Sequence, residues 1–258
     1  MCSRTGWAAA AAGFVAGLAG GLFGVGGGIL LVPLLTAFFS LTQHQAHGTS
    51  LGAIGATAIA GLVVYGLNGN VAWLPAALLA VGSLPAARWG AQLAVRTRHD
   101  RLRLAFAAFL LVVAARILWR VPIGTPDHAL TGVAGALAGL AAGVGVGLLS
   151  GFMGVGGGIL AVPSLTLFFG MPQHLAQGTS LAVILVTAPI AALEHHRHGN
   201  VVPRLLPGLA LGSIAGAPLA AYLAQGLPQE TLARGFALFL VANAARMGWT
   251  SFARRRAP

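Results

Sequence analysis

Long apolar stretches, separated by short polar connections, run along the whole chain. Each long stretch has roughly 18–25 residues, enough for a helix rising about 1.5 Å per residue to cross a hydrocarbon core of about 30 Å. Barrel strands would alternate polar and apolar side chains, and no such alternation is present. Because a backbone in lipid must pair its own polar groups, the pattern predicts an all-α polytopic membrane protein.

In the first half of the chain, the pattern predicts four full helices and one short apolar run. The run at 29–39 spans only part of a bilayer core and contains Pro33, so we expect a broken or re-entrant segment. A polar connection at 40–47 follows it. The predicted full helices are 7–24, 48–67, 71–95 and 104–119.

The second half follows the same plan. Residues 21–51 align with 151–181 without a gap, at an offset of 154 − 24 = 130 residues, and most of the positions are identical. We therefore divide the chain into two transmembrane repeats, 1–125 and 126–258, which together form one domain. The predicted elements of the second repeat are 131–153, the short run 159–169, and the helices 178–193, 201–224 and 231–250.

The arginines predict that the two repeats are inverted with respect to each other. The loop at 96–103 carries four arginines, whereas its counterpart at 226–233 carries none. The loop at 194–204 carries two, whereas its counterpart at 64–74 is uncharged. Because arginine-rich loops face the cytoplasm, equivalent loops lie on opposite sides, so each repeat makes an odd number of passes. We expect a multi-pass protein of the cell inner membrane with both termini in the cytoplasm.

Composition narrows the functional class. The chain is 57% hydrophobic and 7% charged, whereas a soluble domain carries about 25% charged residues. The formal net charge of +11 would suggest nucleic acid in a soluble protein, but arginines at segment ends fit membrane topology better. We therefore expect no nucleic-acid partner. The single cysteine, Cys2, excludes an internal disulfide and a cysteine metal cluster.

The sequence offers no catalytic constellation. Its four acidic residues, Asp100, Asp127, Glu194 and Glu230, lie at segment ends or in connections, which argues against a carboxylate proton relay. The tract at 194–198 resembles a metal-binding sequence, but it falls in a predicted connection, and we interpret it as a solvated loop. We therefore expect no enzyme activity, no metal and no cofactor.

Each short run is preceded by a cluster of glycines, which is the strongest candidate for a binding site. Glycine permits backbone conformations closed to other residues and leaves N–H groups uncovered. The helix start that follows offers unpaired N–H donors and a partial positive charge, which suit an anion. The alternative is close packing of helices through small residues. The candidate substrate-binding glycines are Gly26, Gly27, Gly28, Gly156, Gly157 and Gly158.

Polar residues that recur at the same offset follow each short run. Hydroxyls near a helix start either cap the helix or contact a ligand, and both interpretations stay open here. Histidines at these positions either carry protons near neutral pH or lie at the membrane interface. The candidate ligand hydroxyls are Thr49, Ser50, Thr179 and Ser180, and the accessory candidates are Gln43, His44, Gln173 and His174.

A pair of arginines, Arg116 and Arg246, occupies equivalent positions near the end of the last helix in each repeat. A long cationic side chain at a helix end commonly reaches the membrane interface. The alternative is attraction of an anion, and we keep both arginines as accessory candidates for the site.

Two copies of Gly-Xaa-Gly-Gly-Gly-Xaa-Xaa-Xaa-Val-Pro, at 24–33 and 154–163, are each followed by Gly-Thr-Ser. This duplicated motif resembles the TauE/SafE sulfite exporter family, also called the 4-toluene sulfonate uptake permease family. The resemblance covers nearly the whole chain. It implies a multi-pass transporter of small sulfur oxyanions, such as sulfite and thiosulfate, or of organosulfonates.

Together these features predict a transporter that binds a sulfur oxyanion near the midplane, between the two glycine clusters. One repeat would rock against the other, so that the site opens to each side of the membrane in turn. The alternatives are an anion channel of the same architecture and a membrane assembly subunit that transports nothing. The expected partners are the anion and the lipid bilayer, and the sequence does not define an oligomeric state.

Overall fold

The computed structural model describes residues 2–96, 100–119 and 132–256, and these residues form ten α-helices and one short 3-10 turn, Pro203–Leu205. By length and composition, five of the described helices are able to cross a membrane. The helices in chain order are α1 (Cys2–Phe23), α2 (Gly28–Phe38), α3 (Gln43–Leu67), α4 (Trp73–Arg96), α5 (Asp100–Trp119), α6 (Gly132–Met153), α7 (Gly158–Phe168), α8 (Gln173–Arg197), α9 (Leu206–Gln225) and α10 (Gln229–Arg256).

The all-α architecture and the order of long and short helices are confirmed. The predicted starts of α3 at 48 and α8 at 178 are wrong, because both helices begin five residues earlier. Thr42 caps α3 by accepting from the Gln45 N–H, and the Gln45 side chain accepts from the Thr42 N–H in return. Polar residues assigned to a connection therefore form the first turns of α3. The predicted boundary between the repeats, at 125/126, lies outside the described residues.

Many outward-facing side chains are large and apolar. Trp7, Trp73, Trp89 and Trp119 are each more than 60% exposed, and exposed leucines and valines lie on most of the long helices. An apolar surface of this extent is costly in water and favourable in lipid. The exterior is therefore suited to a bilayer.

Helices from the two repeats interleave. α1 packs along α9, and α6 packs along α4. Glycines spaced four residues apart allow the backbones to approach closely, as small residues do in membrane helix pairs. The facing residues are Gly13 with Leu209, Gly17 with Ser213 and Gly21 with Ala217, and their counterparts are Gly143 with Leu79, Gly147 with Ser83 and Gly151 with Ala87. Both pairs of helices are therefore parallel.

The interleaving produces two bundles that do not coincide with the two repeats. The first bundle contains α1, α2, α3 and α9, and the second bundle contains α6, α7, α8 and α4. Each bundle therefore takes one long helix from the other repeat. α5 packs against α10.

The two bundles meet along α3 and α8. The facing residues, in order along α3, are Gly48 with His195, Gly61 with Leu181, and Tyr65 with Gln177. Residue numbers rise along α3 while they fall along α8, so the two helices are antiparallel. Since α2 leads into α3 and α7 leads into α8, the two short helices end at opposite ends of the molecule.

Candidate functional site

Two glycine clusters, the first at 24–28 and the second at 154–158, join α1 to α2 and α6 to α7. Gly24, Gly26 and Gly27 have φ values of 67°, 71° and 78°, and the second cluster repeats this pattern. Left-handed backbone is readily accessible only to glycine. The glycines are therefore required by the chain path, whatever else they do.

The two clusters touch each other in the interior. A Cβ built on Gly28 would lie 2.8 Å from the Val155 Cα and 3.0 Å from the Gly154 carbonyl oxygen. A Cβ built on Gly158 would lie 2.5 Å from the Val25 Cα and 2.9 Å from the Gly24 carbonyl oxygen. Because α2 begins at Gly28 and α7 at Gly158, two helix N-termini adjoin at this contact.

The backbone N–H groups at this contact are uncommitted within the described part of the chain. No described residue accepts a hydrogen bond from the N–H of residues 26–28 or 156–158, although all six are buried. The carbonyls of Gly27 and Gly157 instead begin the ladders of α2 and α7. Buried N–H donors at a helix start carry partial positive charge and suit an anion.

Two isoleucines fill the space in front of the clusters. Ile54 and Ile184 are fully buried midway along α3 and α8. A Cβ built on Gly26 would meet the Ile54 Cγ2 at 2.6 Å and the Ile184 Cγ2 at 3.4 Å. Neither isoleucine was predicted as a site residue, although the two are related by the 130-residue offset.

A pair of serines makes equivalent hydrogen bonds in the two halves. The Ser50 Oγ donates to the Gly154 carbonyl at 2.8 Å, and the Ser180 Oγ donates to the Gly24 carbonyl at 2.8 Å. Each serine therefore holds the glycine cluster of the other repeat. Since both serines are fully buried, these bonds fix the positions of the clusters on α3 and α8.

The neighbouring threonines make a second reciprocal pair. The Thr49 Oγ1 accepts from the Val202 N–H at 3.0 Å, and the Thr179 Oγ1 accepts from the Ala72 N–H at 2.9 Å. Because α3 and α8 begin earlier than expected, these residues lie in the second turn, and the interpretation as helix caps is wrong. Each threonine instead anchors the segment that precedes a long helix of the other repeat.

Gln43 and His44 lie in the first turn of α3. The Gln43 Nε2 is 3.1 Å from the Nε2 of His47, one turn further along the helix. His47 packs against Gly154, where a Cβ on the glycine would lie 2.6 Å from the His47 Cα. This pair therefore lies beside Gly154, the first glycine of the second cluster.

Gln173 and His174 occupy the equivalent turn of α8. The Gln173 backbone N–H donates to the Gln229 side chain at 2.8 Å. The His174 Nε2 donates to the Ala224 carbonyl, at the end of α9, at 2.8 Å. The structure brings both residues against neighbouring helix ends and leaves them away from the glycine contact.

Arg116 and Arg246 have different surroundings, although they occupy equivalent positions in the sequence. The Arg246 Nη2 donates to the Ile29 carbonyl at 3.2 Å, in the first turn of α2. Arg116 is exposed in the last turn of α5. Only Arg246 therefore places a guanidinium group next to a short helix that begins at the glycine contact.

Glu194 and His195 correct the interpretation of 194–198 as a solvated loop. Both residues are buried, because α8 continues to Arg197 and its last turns still pack on α4 and α6. The Glu194 carboxylate lies 3.4 Å from the Arg88 Nε and 3.5 Å from the Arg197 Nη1. Residues 196–198 are exposed, but they form the end of α8 and its C-cap and not a loop.

Tyr65 and His195 are equivalent residues whose role in holding a helix end was not predicted from the sequence. The Tyr65 hydroxyl shares its hydrogen between the Gly21 carbonyl, at 3.0 Å, and the Gln177 Oε1, at 2.9 Å. The His195 Nε2 donates to the Gly151 carbonyl at 3.0 Å. Both bonds hold the end of a long helix just before a glycine cluster. The 130-residue offset is the signal that relates them.

Comparison with known proteins finds relatives along most of the chain. The family model described as "Sulfite exporter TauE/SafE" matches residues 9–247. A "Probable membrane transporter protein" of Xylella fastidiosa (strain Temecula1) is 32% identical over 229 residues, covering 87% of this chain and 88% of that protein. The "Probable membrane transporter protein YunE" of Bacillus subtilis is 26% identical over 217 residues, covering 74% and 80%. No solved structure matches the chain.

Proposed function

This chain belongs to the sulfite exporter TauE/SafE family and is a multi-pass membrane transporter, and we propose that its substrate is a small sulfur oxyanion or an organosulfonate. Sulfite and thiosulfate represent the first class, and methanesulfonate represents the second. The proposed site lies between the two glycine clusters, where the N–H groups of residues 26–28 and 156–158 donate to the anion.

One observation carries the proposal, namely that the N-termini of α2 and α7 adjoin in the buried interior. A cation would be repelled there by the partial positive ends of two helices, and a neutral ligand would gain little from them. A tetrahedral or pyramidal oxyanion offers several acceptor oxygens to N–H donors that approach from two sides. The reciprocal bonds of Ser50 and Ser180 preorganise those donors.

Access to the site requires the two bundles to separate, because Ile54 on α3 and Ile184 on α8 both pack on the glycine clusters and fill the space in front of them in this conformation. We propose that the first bundle rocks against the second. The sequence repeats themselves are poor candidates for rigid units, since α1 and α9 approach closely through their backbones, as do α4 and α6. The antiparallel crossing of α3 and α8 supports an inverted relationship between repeats and a pseudo-two-fold axis through the site.

The proposed orientation places both termini in the cytoplasm and the protein in the inner membrane. Arg88 contacts the end of α8, and Arg204 lies beside Ala8 near the start of α1. These arginines and Arg197 therefore share one end of the molecule. Clustering of arginines at one end supports a cytoplasmic position for that end.

Anion flux into proteoliposomes tests the proposal, using sulfite, thiosulfate and methanesulfonate with chloride and phosphate as comparison anions. We expect saturable uptake and counterflow of at least one sulfur anion. Gly28→Ala and Gly158→Ala each insert a methyl group between the clusters, at positions whose φ is not positive and therefore accepts alanine. Each substitution should reduce flux about 10-fold or more, which corresponds to about 1.4 kcal/mol.

Gly55→Ala is the matched control, because a Cβ at Gly55, also on α3, would meet nothing within 4 Å. It should keep wild-type flux. Equal flux in Gly28→Ala and in the wild type would contradict a site between the clusters. Flux that does not saturate and shows no counterflow would indicate a channel, and no flux of any sulfur anion would sink the substrate class.

A further inference from the structure

The candidate hydroxyls identified from the sequence are committed to backbone partners, which raises the question of which side chains contact the anion. Ser50 and Ser180 donate to glycine carbonyls, and Thr49 and Thr179 hold the opposite repeat. A hydroxyl has one hydrogen to donate, so a serine bonded to a carbonyl has none left for an anion. Any further side-chain donation to the anion must therefore come from groups other than Ser50 and Ser180. Thr49 and Thr179 accept at their hydroxyl oxygens, which are held against backbone of the opposite repeat.

Two other hydroxyls, those of Thr57 and Ser150, are fully buried and have no hydrogen-bond partner among the described residues. Leaving a buried hydroxyl unpaired costs about 1–3 kcal/mol. Helical threonines usually avoid this cost by donating to the carbonyl one turn earlier, as Thr187 does to Val183 at 3.1 Å. Thr187 is the counterpart of Thr57 at the 130-residue offset. The missing hydrogen bond is therefore specific to Thr57 and is not shared by the equivalent position of the other repeat.

Each unpaired hydroxyl belongs to a side chain that flanks a glycine cluster. A Cβ built on Gly20 would lie 2.6 Å from the Thr57 Cγ2 and 2.8 Å from both the Gly26 carbonyl carbon and the Gly27 nitrogen. Thr57 therefore lies against the first cluster. It is also one helical turn from Ile54, which covers the same glycines.

Ser150 lies against the second cluster. A Cβ built on Gly157 would lie 3.2 Å from the Ser150 Cβ, and Gly157 is the residue that caps α7. The counterpart of Ser150 in the first repeat is Gly20, which has no side chain. The two side chains therefore lie against the clusters from non-equivalent positions, Thr57 through its Cγ2 methyl and Ser150 through its Cβ.

Gln177 also has an unpaired buried nitrogen, its Nε2. Its side chain is held by Tyr65 and packs on Gly24, the first glycine of the first cluster. Gly24 also lies beside the start of α7, because its carbonyl oxygen is 2.9 Å from a Cβ built on Gly158, but the Gln177 amide is already engaged by Tyr65 through its Oε1. Thr57 and Ser150 are the unpaired hydroxyls beside the glycines that adjoin the starts of α2 and α7.

We propose that Thr57 and Ser150 are substrate-binding residues whose hydroxyls donate to the anion, one from each side of the site. This inference rests on the proposed function. The hydroxyls remain unpaired while Ile54 and Ile184 close the site, and they gain an acceptor when an oxyanion occupies it. Because the two residues are not related by the repeat, the bound anion is held asymmetrically between the clusters.

Removal of each hydroxyl tests the proposal through two measurements, the KM for the anion and the thermal stability without anion. Thr57→Val and Ser150→Ala should each raise the KM for thiosulfate or methanesulfonate about 10-fold, or about 1.4 kcal/mol, with little change in maximal flux. Thermal stability in detergent without anion should stay equal or increase, because an unpaired buried hydroxyl is removed. The increase in melting temperature on adding the anion should become smaller.

Thr187→Val is the matched control, because its hydroxyl is already bonded to Val183. We expect an unchanged KM and a modest loss of stability, the reverse of Thr57→Val. An unchanged KM in both test variants, in a protein that transports sulfur anions, would overturn this inference and leave the proposed function intact. A loss of stability without a change in KM would assign the hydroxyls a structural role. Absence of any sulfur anion flux in the wild type would overturn both.

Discussion

The two ends of the molecule are built from equivalent residues but differ in charge. Where α3 begins and α8 ends, the Asn200 carbonyl packs on Gly48, and at the opposite end the Asn70 carbonyl packs on Gly178. The backbone contacts are thus repeated. At the first of these ends Glu194 is buried with Arg88 and Arg197 beside it, whereas the counterpart of Glu194 is Val64.

The difference shows which features the duplication imposes. Contacts made by backbone atoms and small residues occur in both halves, because a changed side chain there would collide with another helix. Contacts made by side-chain tips differ, as when Tyr65 and His195 reach equivalent carbonyls with different chemistry. The backbone packing of the two halves is therefore symmetric, whereas their polar side-chain contacts are not.

The largest expected effect tests the symmetric scaffold. A Cβ on Gly13 would overlap the Leu209 carbonyl, and a Cβ on Gly143 would overlap the Leu79 carbonyl. We expect Gly13→Ala and Gly143→Ala each to lower the free energy of unfolding by about 3 kcal/mol or more, because two backbones must move apart. Thermal unfolding in detergent measures this.

Gly66→Ala provides the control, since a Cβ there would meet nothing within 4 Å. It should stabilise α3 slightly, by about 0.5–1 kcal/mol. Tolerance of alanine at one of the two packed glycines, with loss at the other, would break the symmetry of the bundles.

A smaller effect is expected at the reciprocal serines. Ser50→Ala and Ser180→Ala each leave a buried glycine carbonyl without its donor, which should cost about 1–2 kcal/mol. The two losses should agree within error, because both bonds measure 2.8 Å. Thermal unfolding of the single and double variants checks both size and equality. A marked inequality would show that the clusters are held differently.

The charged end should respond to loss of an arginine where the other end does not. Arg88→Met removes one partner of the buried Glu194 carboxylate, which keeps Arg197 and an amide donor from Gln92 at 3.1 Å. We expect a loss of about 1 kcal/mol that shrinks as salt is added.

Arg234→Met is the comparison at the opposite end, where Arg234 pairs with Glu230 and both side chains are exposed. Its effect should be below about 0.5 kcal/mol, since water already screens the pair. Equal losses for Arg88→Met and Arg234→Met, measured by chemical or thermal unfolding, would remove the contrast between the ends.

The smallest expected effect concerns the turns that follow the short helices. Ser40 has a φ of 52°, and its counterpart Gly170 has a φ of 60°. Ser40→Gly relieves left-handed strain of about 1–2 kcal/mol but adds chain entropy, for a net gain of about 0.5 kcal/mol. Gly170→Ala should lose about 1 kcal/mol. A loss of stability in Ser40→Gly would show that the turn is not strained.

Helix content and the duplicated plan were predictable from local properties. Long apolar runs define the helices, and the exact recurrence of the cluster at a 130-residue offset defines the repeats. The glycine pattern also indicated backbone that other residues cannot adopt, and the φ values of Gly26 and Gly156 agree with it. The starts of α3 and α8 were missed, because polar residues in a first helical turn resemble a loop. At α3 the capping box of Thr42 and Gln45 marks the start, and α8 starts after Pro172 without a side-chain cap.

The candidate site was predictable only in part. The clusters were identified, whereas the partners of Ser50 and Thr49 lie 104 and 153 residues away in sequence. Whether these clusters bind an anion stays a proposal. Thr57 and Ser150 were not predicted from the sequence. A buried hydroxyl without a partner can be recognised only when the positions of all neighbouring donors and acceptors are known.

The sequence by itself determined the membrane class, the helices and the glycine positions, since these follow from hydropathy and from which residues tolerate positive φ. Only the tertiary structure decided that the repeats exchange α4 and α9, that the two clusters touch, and that the predicted hydroxyls bond to backbone groups of the opposite repeat. The physical reason is that such contacts depend on close approach between helices remote in sequence. A periodic pattern of glycines shows where another helix can approach closely, but it does not show which helix packs there.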